Sequence, residues 1–263
     1  MYLCTMDFGG WDWPLFIGGG FLAGIINTLA GNGSAITLTL LLTTGMDATV
    51  ANATNRIGVL FQTFTSLVSL KRSKRTLILL KHSSWYFLPT ILGSIGGALL
   101  AVEIDDGTLE IIIGIFMILL LGTLVLQPKK WLISTDAKKE RKTPLNWILM
   151  FIIGFYGGFI QMGIGIMMLA ALVLSAKFSL KDANIIKLLL AFILIIPAFI
   201  IYLLSGDIVW LPGIALAIGA SIGAWFGTRY VLYHPKANQY IRYILIGIII
   251  FALLKIFTPW FEF

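Results

Sequence analysis

Gly31-Asn32-Gly33-Ser34 lies inside one long apolar run, and Gly163-Ile164-Gly165 lies inside another, 132 residues later. The same offset carries Ala51-Asn52 onto Ala183-Asn184 and Asn55 onto Lys187. The chain therefore reads as written twice, each copy with a glycine break where a membrane helix would be continuous. Paired interruptions at matching places in two halves point to the binding site of a transporter.

The composition agrees with a membrane protein. Hydrophobic residues make up 59% of the chain and charged residues 12%, with apolar stretches of about twenty residues recurring along it. The formal charge of +7 sits in short loops between apolar spans, the pattern of orientation in a bilayer rather than of nucleic-acid binding. Cys4 has no second cysteine to pair with and reads as a free thiol. The N-terminus lacks a basic n-region and carries Asp7 and Asp12, so the first apolar span is expected to remain in the protein.

Apolar elements are expected at 14–30, 33–44, 48–70, 85–101, 109–127, 144–162, 164–176, 183–204, 210–228 and 240–258. Elements 33–44 and 164–176 are too short to cross roughly 30 Å of hydrocarbon. Segments 14–44 and 144–176 then become helical hairpins that break at their glycines and return. Linkers 71–84, 128–143, 177–182 and 229–242 are basic, whereas 1–13, 45–47, 102–108, 205–209 and 259–263 hold no Lys or Arg. Placing the basic set in the cytoplasm puts both termini outside. The expected fold is an all-α polytopic membrane protein with two inverted-topology repeats, each a broken helical hairpin plus three transmembrane helices. Repeat one covers 14–127, a cytoplasmic linker 128–143, and repeat two 144–258.

Two further matches support the duplication. Ser94-Ile95-Gly96 aligns with Ser221-Ile222-Gly223, and Gly20 and Gly24 align with Gly154 and Gly158. With both halves laid out, the chain resembles the TauE/SafE family of membrane permeases. The first-half match is Gly24-Ile25-Ile26-Asn27-Thr28-Leu29-Ala30-Gly31-Asn32-Gly33-Ser34 with Val50-Ala51-Asn52-Ala53-Thr54-Asn55-Arg56. The second is Gly154-Phe155-Tyr156-Gly157-Gly158-Phe159-Ile160-Gln161, Gly163-Ile164-Gly165 and Ala183-Asn184-Ile185-Ile186-Lys187. The resemblance implies movement of sulfite, thiosulfate, sulfonates and related small anions. Asn32 interrupts a glycine run that relatives often carry unbroken, and Ala35-Ile36-Thr37-Leu38-Thr39 lacks a proline many of them have. A different substrate choice is one expectation from these departures.

A helix that ends inside a membrane leaves backbone groups that protein, water or a ligand must satisfy. Free N–H groups at a half-helix N-terminus suit an anion, and glycine lets the backbone approach it. The candidate substrate contacts at the breaks are Gly31, Asn32, Gly33, Ser34, Gly163 and Gly165, flanked by Asn27 and Gln161. Asn52, Asn55 and Arg56 open helix 48–70, with Asn52 and Asn55 placed on a shared face, and Asn184 and Lys187 repeat that spacing. Arg56 and Lys187 are cations set in apolar runs without an acidic partner nearby, and intramembrane charge is a functional hypothesis by default. Both are expected to contact the anion, so that Arg56→Ala and Lys187→Ala weaken transport while the protein stays folded. Snorkelling to the interface is the competing reading. The outer pairs Gly20/Gly24 and Gly154/Gly158 read as helix packing. Trp11, Trp13, Trp85, Trp131, Trp147, Trp210 and Trp260 fall near span ends as an interfacial belt. Trp225 lies deeper. Pro197 is expected to bend its helix, and Asp47 and Asp182 to cap theirs.

The expected function is transport of a small inorganic or organic anion across a cell membrane by alternating access at a midplane site. A sulfur oxyanion or organosulfonate is the leading substrate class. An anion channel of the same architecture and a carrier for a non-sulfur organic anion are the alternatives. No HExxH and no histidine within a span support an intramembrane enzyme, and neither cofactor, metal nor nucleic acid is implied. A homo-oligomer is compatible with the sequence. Direction and coupling stay open: without an acidic or histidine relay in the spans, a proton would travel on the substrate or by water.

Overall fold

The computed structural model describes residues 12–29, 31–70, 74–126, 143–230, 243 and 246–251. They are helical, with no strand among them. The helices are α1 (Asp12–Leu29), α2 (Gly33–Thr43), α3 (Ala48–Ser69), α4 (Lys74–Ser83), α5 (Phe87–Glu103) and α6 (Asp106–Leu126). The second half contributes α7 (Pro144–Phe159), α8 (Ile164–Ala170, prolonged by a π-turn over Ala171–Ser175), α9 (Leu180–Ser205) and α10 (Trp210–Arg229). Residues 246–251 are helical as well. Cys4, Trp11, Trp131, Trp260, the linker 128–142 and most of 240–258 lie outside the described residues.

Three stretches are long and apolar enough to cross a membrane among the described residues: Thr76–Glu103, Leu180–Ser205 and Trp210–Arg229. The two expected short elements are short. Gly33–Thr43 and Ile164–Ser175 reach only about 16–18 Å at 1.5 Å per residue. One linker differs from expectation: 71–84 is largely the helix α4, joined through a 3₁₀ turn at Ser84–Tyr86 to α5. Its apolar Leu77, Ile78 and Leu79 between basic residues explain the helix.

The helices pack in two similar sets. α1 lies along α10, which packs on α3; α7 lies along α5, which packs on α9; and α3 meets α9. Each hairpin thus rests on a helix of the other half. The outer glycines make this possible. A Cβ on Gly24 would stand 2.2 Å from the Ala220 carbonyl oxygen, and one on Gly158 would stand 2.1 Å from that of Ser94. These are backbone-to-backbone approaches, as the packing reading of the small-residue pairs expects.

Polarity is arranged inside out. Phe61, Phe64, Leu88, Leu204, Ile118 and Ile152 are exposed, while Arg56, Asn52, Asn55, Gln161 and Lys187 are buried. In water this would forfeit stability; against lipid the outer face costs nothing and the polar interior becomes the informative part.

The capping expectations are corrected in part. Ser179, not Asp182, caps α9: its Oγ accepts from the Asp182 N–H at 3.2 Å. Asp182 sits in the first turn, where a carboxylate suits the helix dipole. Asp47 occupies the position before α3 but makes no side-chain cap bond. Asp106 at the start of α6 does that work, accepting from the Thr49 N–H at 2.9 Å. α9 runs on through Pro197, and Ser94 donates to the Leu194 carbonyl in the turn before it at 2.7 Å.

Candidate functional site

Both glycine breaks are real interruptions, and they meet. α1 stops at Leu29 and α2 begins at Gly33; α7 stops at Phe159 and α8 begins at Ile164. Gly31 and Gly163 each have φ +73°, a left-handed conformation that favours glycine. Gln161 also adopts it, at φ 69°. Gly165 N–H donates to the Gly31 carbonyl at 3.2 Å. A Cβ on Gly31 would fall 2.2 Å from the Gly165 Cα, and one on Gly165 would fall 2.3 Å from the Gly31 Cα. The two chains therefore touch through bare backbone.

This contact changes one expectation. The N–H groups at the Gly163–Gly165 break are expected to suit an anion. Gly165 instead bonds to Gly31, and Ile166 donates to the Gly163 carbonyl at 3.2 Å, so these two N–H groups are already paired.

The C-terminal end of α7 is held by Arg56, which is fully buried. One terminal nitrogen donates to the Gly157 carbonyl at 2.7 Å and to Gln161 Oε1 at 2.7 Å. The other donates to the carbonyls of Gly158 and Phe159, each at 3.0 Å, to Asn52 Oδ1 at 3.0 Å and to the Tyr202 hydroxyl at 3.3 Å. The guanidinium also stands 4.7 Å from the centre of the Tyr202 ring. Asn52 Nδ2 donates to Phe159 O at 2.7 Å. The counter-charge for this cation is the negative end of a helix, which a search for carboxylates at helical spacing does not reveal. Snorkelling does not occur.

Tyr202 is a member of this cluster that the sequence reading missed. It lies near the far end of α9, remote in sequence from both Arg56 and the break. Its hydroxyl donates to Phe159 O at 2.9 Å and accepts from Asn52 Nδ2 at 2.8 Å. Tyr202→Phe is expected to cost about 1–2 kcal/mol, read as a lower melting temperature of the purified protein. An unchanged melt would remove the hydroxyl from the network's stability.

Arg56 also orients Gln161. An arginine only donates, so the Gln161 oxygen must face it, and the amide NH₂ is the end left over for other partners. Gln161 lines a cavity together with Asn27, Gly31, Ser34, Gly165 and Lys187. Six of the sequence candidates thus converge. The cavity measures about 10 Å³, on the order of one water molecule. Thr63, Ile164, Leu188 and Ala191 complete the lining. Thr63 had a signal available: it lies seven residues beyond Arg56, on the same stripe of α3.

Lys187 is the ionisable residue of that lining. It is 2% exposed, and its Nζ makes one hydrogen bond among the described residues, to the Thr28 carbonyl at 3.2 Å. Thr28 belongs to the last turn of α1, so each half's cation reaches the broken helix of the other half.

The remaining candidates sit elsewhere. Asn55 does not join Asn52 on one face; its Oδ1 accepts from Thr37 of α2 at 2.5 Å. Asn32 is buried, and both its amide atoms lack a hydrogen-bond partner among the described residues. Gly33 packs against α1, with its Cβ position 2.2 Å from Ala23 O. Gly163 faces Leu120 and Asn32. Asn184 is half-buried, with Oδ1 unpartnered. Trp225 is 40% exposed and stacks under Arg229 at 5.6 Å, as the packing reading expects.

The family profile described as sulfite exporter TauE/SafE matches residues 16–256. The chain belongs to the TauE/SafE family. It is similar to a protein of Haemophilus influenzae described as a probable membrane transporter protein, with 29% identity over 93% of this chain and 94% of that one. The probable membrane transporter YfcA of Escherichia coli K12 is 28% identical over 87% of this chain and 85% of its own length. YunE of Bacillus subtilis, described in the same words, is 26% identical over 80% and 84%. No solved structure matches. This TauE/SafE chain thus joins a family of membrane transporters over almost its whole length, broken helices included.

Proposed function

We propose that the chain is a carrier for a small anion, a sulfur oxyanion or organosulfonate, and that it binds the anion in the cavity at Lys187. The observation that carries this reading is the buried Lys187 ammonium, set among neutral hydrogen-bonding groups with one carbonyl as its partner. A buried cation with so little compensation favours an anion beside it. Ser34 and the Gln161 amide can add neutral donors, and Ile164, Leu188 and Ala191 suit a compact apolar substituent. The family name supports sulfite or a chemically related substrate.

The mechanism is alternating access between two inverted repeats, 14–127 and 144–258, joined by a cytoplasmic linker at 128–143 with both termini outside. Three features support the duplication: the exchanged packing of α1 on α10 and α7 on α5, the left-handed Gly31 and Gly163 at the constant offset, and the crossed reach of Arg56 and Lys187. A cavity the size of one water does not hold a sulfonate, so loading requires the halves to part around the Gly31–Gly165 contact.

The test is a proteoliposome flux screen over sulfite, thiosulfate, sulfonates, sulfate and small carboxylates, run for the native chain and Lys187→Met. Native protein should transport at least one sulfur anion and show counterflow. Lys187→Met should weaken its apparent affinity by about 10–100-fold with little change in melting temperature. Native affinity and flux in Lys187→Met would take the lysine out of the site.

A further inference from the structure

Lys187 has a second property that an anion site does not need. It is the group in the cavity whose charge can change. Its lining neighbours Asn27, Ser34, Thr63 and Gln161 are neutral. Among the described residues neither a carboxylate nor a histidine faces it. The elements packed against α9 carry Arg56 on α3, Tyr156 on α7, Glu103 on α5, and Lys74, Lys81 and His82 on α4, and none of these lines the cavity. Arg56 reaches the cavity only through Gln161, with both terminal nitrogens bonded to α7 carbonyls, and an arginine does not release its proton.

We propose that Lys187 carries the coupling proton, so that one proton crosses with each monoanion. The proposal rests on the cavity being the anion site. The physical argument is reciprocal linkage. A buried ammonium with one carbonyl acceptor needs a counter-charge, and the anion supplies it. The anion in turn needs the ammonium. Each therefore strengthens the binding of the other. In the loaded carrier the ammonium and the anion sum to zero. When the anion leaves, the Nζ–H bond breaks heterolytically, the lone pair stays on nitrogen, and the proton passes to water on that side. The neutral amine returns, and takes a proton from water on the other side as the next anion binds. No acidic relay is required, and the Lys187 site is neutral in both translocating forms, which avoids carrying a bare charge there through the interior.

The geometry also separates the two cations by task. Both terminal nitrogens of Arg56 are bonded to acceptors, and the guanidinium stays charged. Lys187 has one acceptor among the described residues and two further donor positions on its nitrogen, which a bound anion can fill.

The experiment uses the whole chain in proteoliposomes, with methanesulfonate and isethionate as probes. Both are permanent monoanions near neutral pH, so any proton that moves belongs to the protein. Inward flux should acidify the lumen, be unaffected by an imposed membrane potential, and be driven by a pH gradient. Apparent affinity should fall as pH rises, by up to about tenfold per pH unit on the alkaline side. Lys187→Arg keeps a charge that cannot be shed, so its ratio of counterflow to net flux should rise on the order of fiftyfold. Flux that carries charge and ignores the pH gradient would overturn the proton role while leaving the anion site standing. Lys187→Arg with a native ratio would do the same. Neither probe moving at all, counterflow included, while sulfite and thiosulfate also fail to move, would end the anion reading and this inference together.

Discussion

Gly31→Ala is expected to melt far below the native protein and to transport nothing. Two penalties fall on one added methyl group. The first is conformational: φ at Gly31 is +73°, and a left-handed L-residue costs roughly 1–2 kcal/mol. The second is steric. The new Cβ would stand 2.2 Å from the Cα of Gly165 and 2.9 Å from its N and C. These are backbone atoms of a segment itself fixed by the Gly165-to-Gly31 hydrogen bond, so no flexible side chain can yield. Overpacking of this kind costs about 1–3 kcal/mol. Together that is about 2–5 kcal/mol, against a total stability on the order of 5–15 kcal/mol. Two controls separate the penalties. Gly45 has φ +85° with nothing within 4 Å of its Cβ position, so Gly45→Ala should show the conformational part alone. Gly18 has open space and an ordinary helical conformation, so Gly18→Ala should be neutral or slightly stabilising. Thermal melting in detergent, with flux per folded molecule, reads all three. A Gly31→Ala melt equal to that of Gly45→Ala would mean the two breaks do not touch.

The parts of this molecule legible in its sequence share one property: they are governed by local chain chemistry. Glycine clusters inside apolar runs mark helix interruptions because glycine adopts the left-handed conformation there at least cost, and both breaks fall where they were expected. Helix lengths follow from apolar runs for the same reason. What the sequence left open depends on side chains that meet across the fold. Arg56 and Lys187 looked alike as uncompensated cations, since an acidic neighbour can be sought along a helix but a carbonyl from another half cannot. Their partners lie on α7 and α1, about a hundred residues or more away. Tyr202 was invisible for the same reason. Asn52 and Asn55 are three residues apart and seemed to act together, yet Asn55 turns to Thr37 while Asn52 turns to Phe159 and Tyr202. Helical spacing sets the direction of a side chain only to within a sector, and the neighbouring helix decides the rest. The linker 71–84 was read by its charges and not by its apolar residues, so the helix in it was missed.

Replacing Arg56 should unfold the protein before it can report on transport, the reverse of what a binding-site arginine would do. Six acceptors converge on its two terminal nitrogens: the carbonyls of Gly157, Gly158 and Phe159, Asn52 Oδ1, Gln161 Oε1 and the Tyr202 hydroxyl. In Arg56→Met the carbonyls of Gly158 and Phe159 keep the Tyr202 hydroxyl, and that of Phe159 keeps Asn52. The Gly157 carbonyl, the Gln161 oxygen and Asn52 Oδ1 lose the donor that held them. Removing one partner from a buried charged network costs about 3–5 kcal/mol. Gln161 would also lose the contact that turns its NH₂ toward the cavity, so whatever protein survives should bind the anion poorly. Arg56→Lys retains the charge but not the planar fork that spans three successive carbonyls, and should fall between. Lys187→Met is the informative contrast. Among the described residues it deprives only the Thr28 carbonyl of a donor, and it should melt close to native while its affinity collapses. The two cations are thus expected to split cleanly, Arg56 by stability and Lys187 by transport, in one set of melting and flux measurements. A stable, correctly melting Arg56→Met that fails only in transport would move the arginine into the binding site and leave the end of α7 to be held by Tyr202 and Asn52 alone.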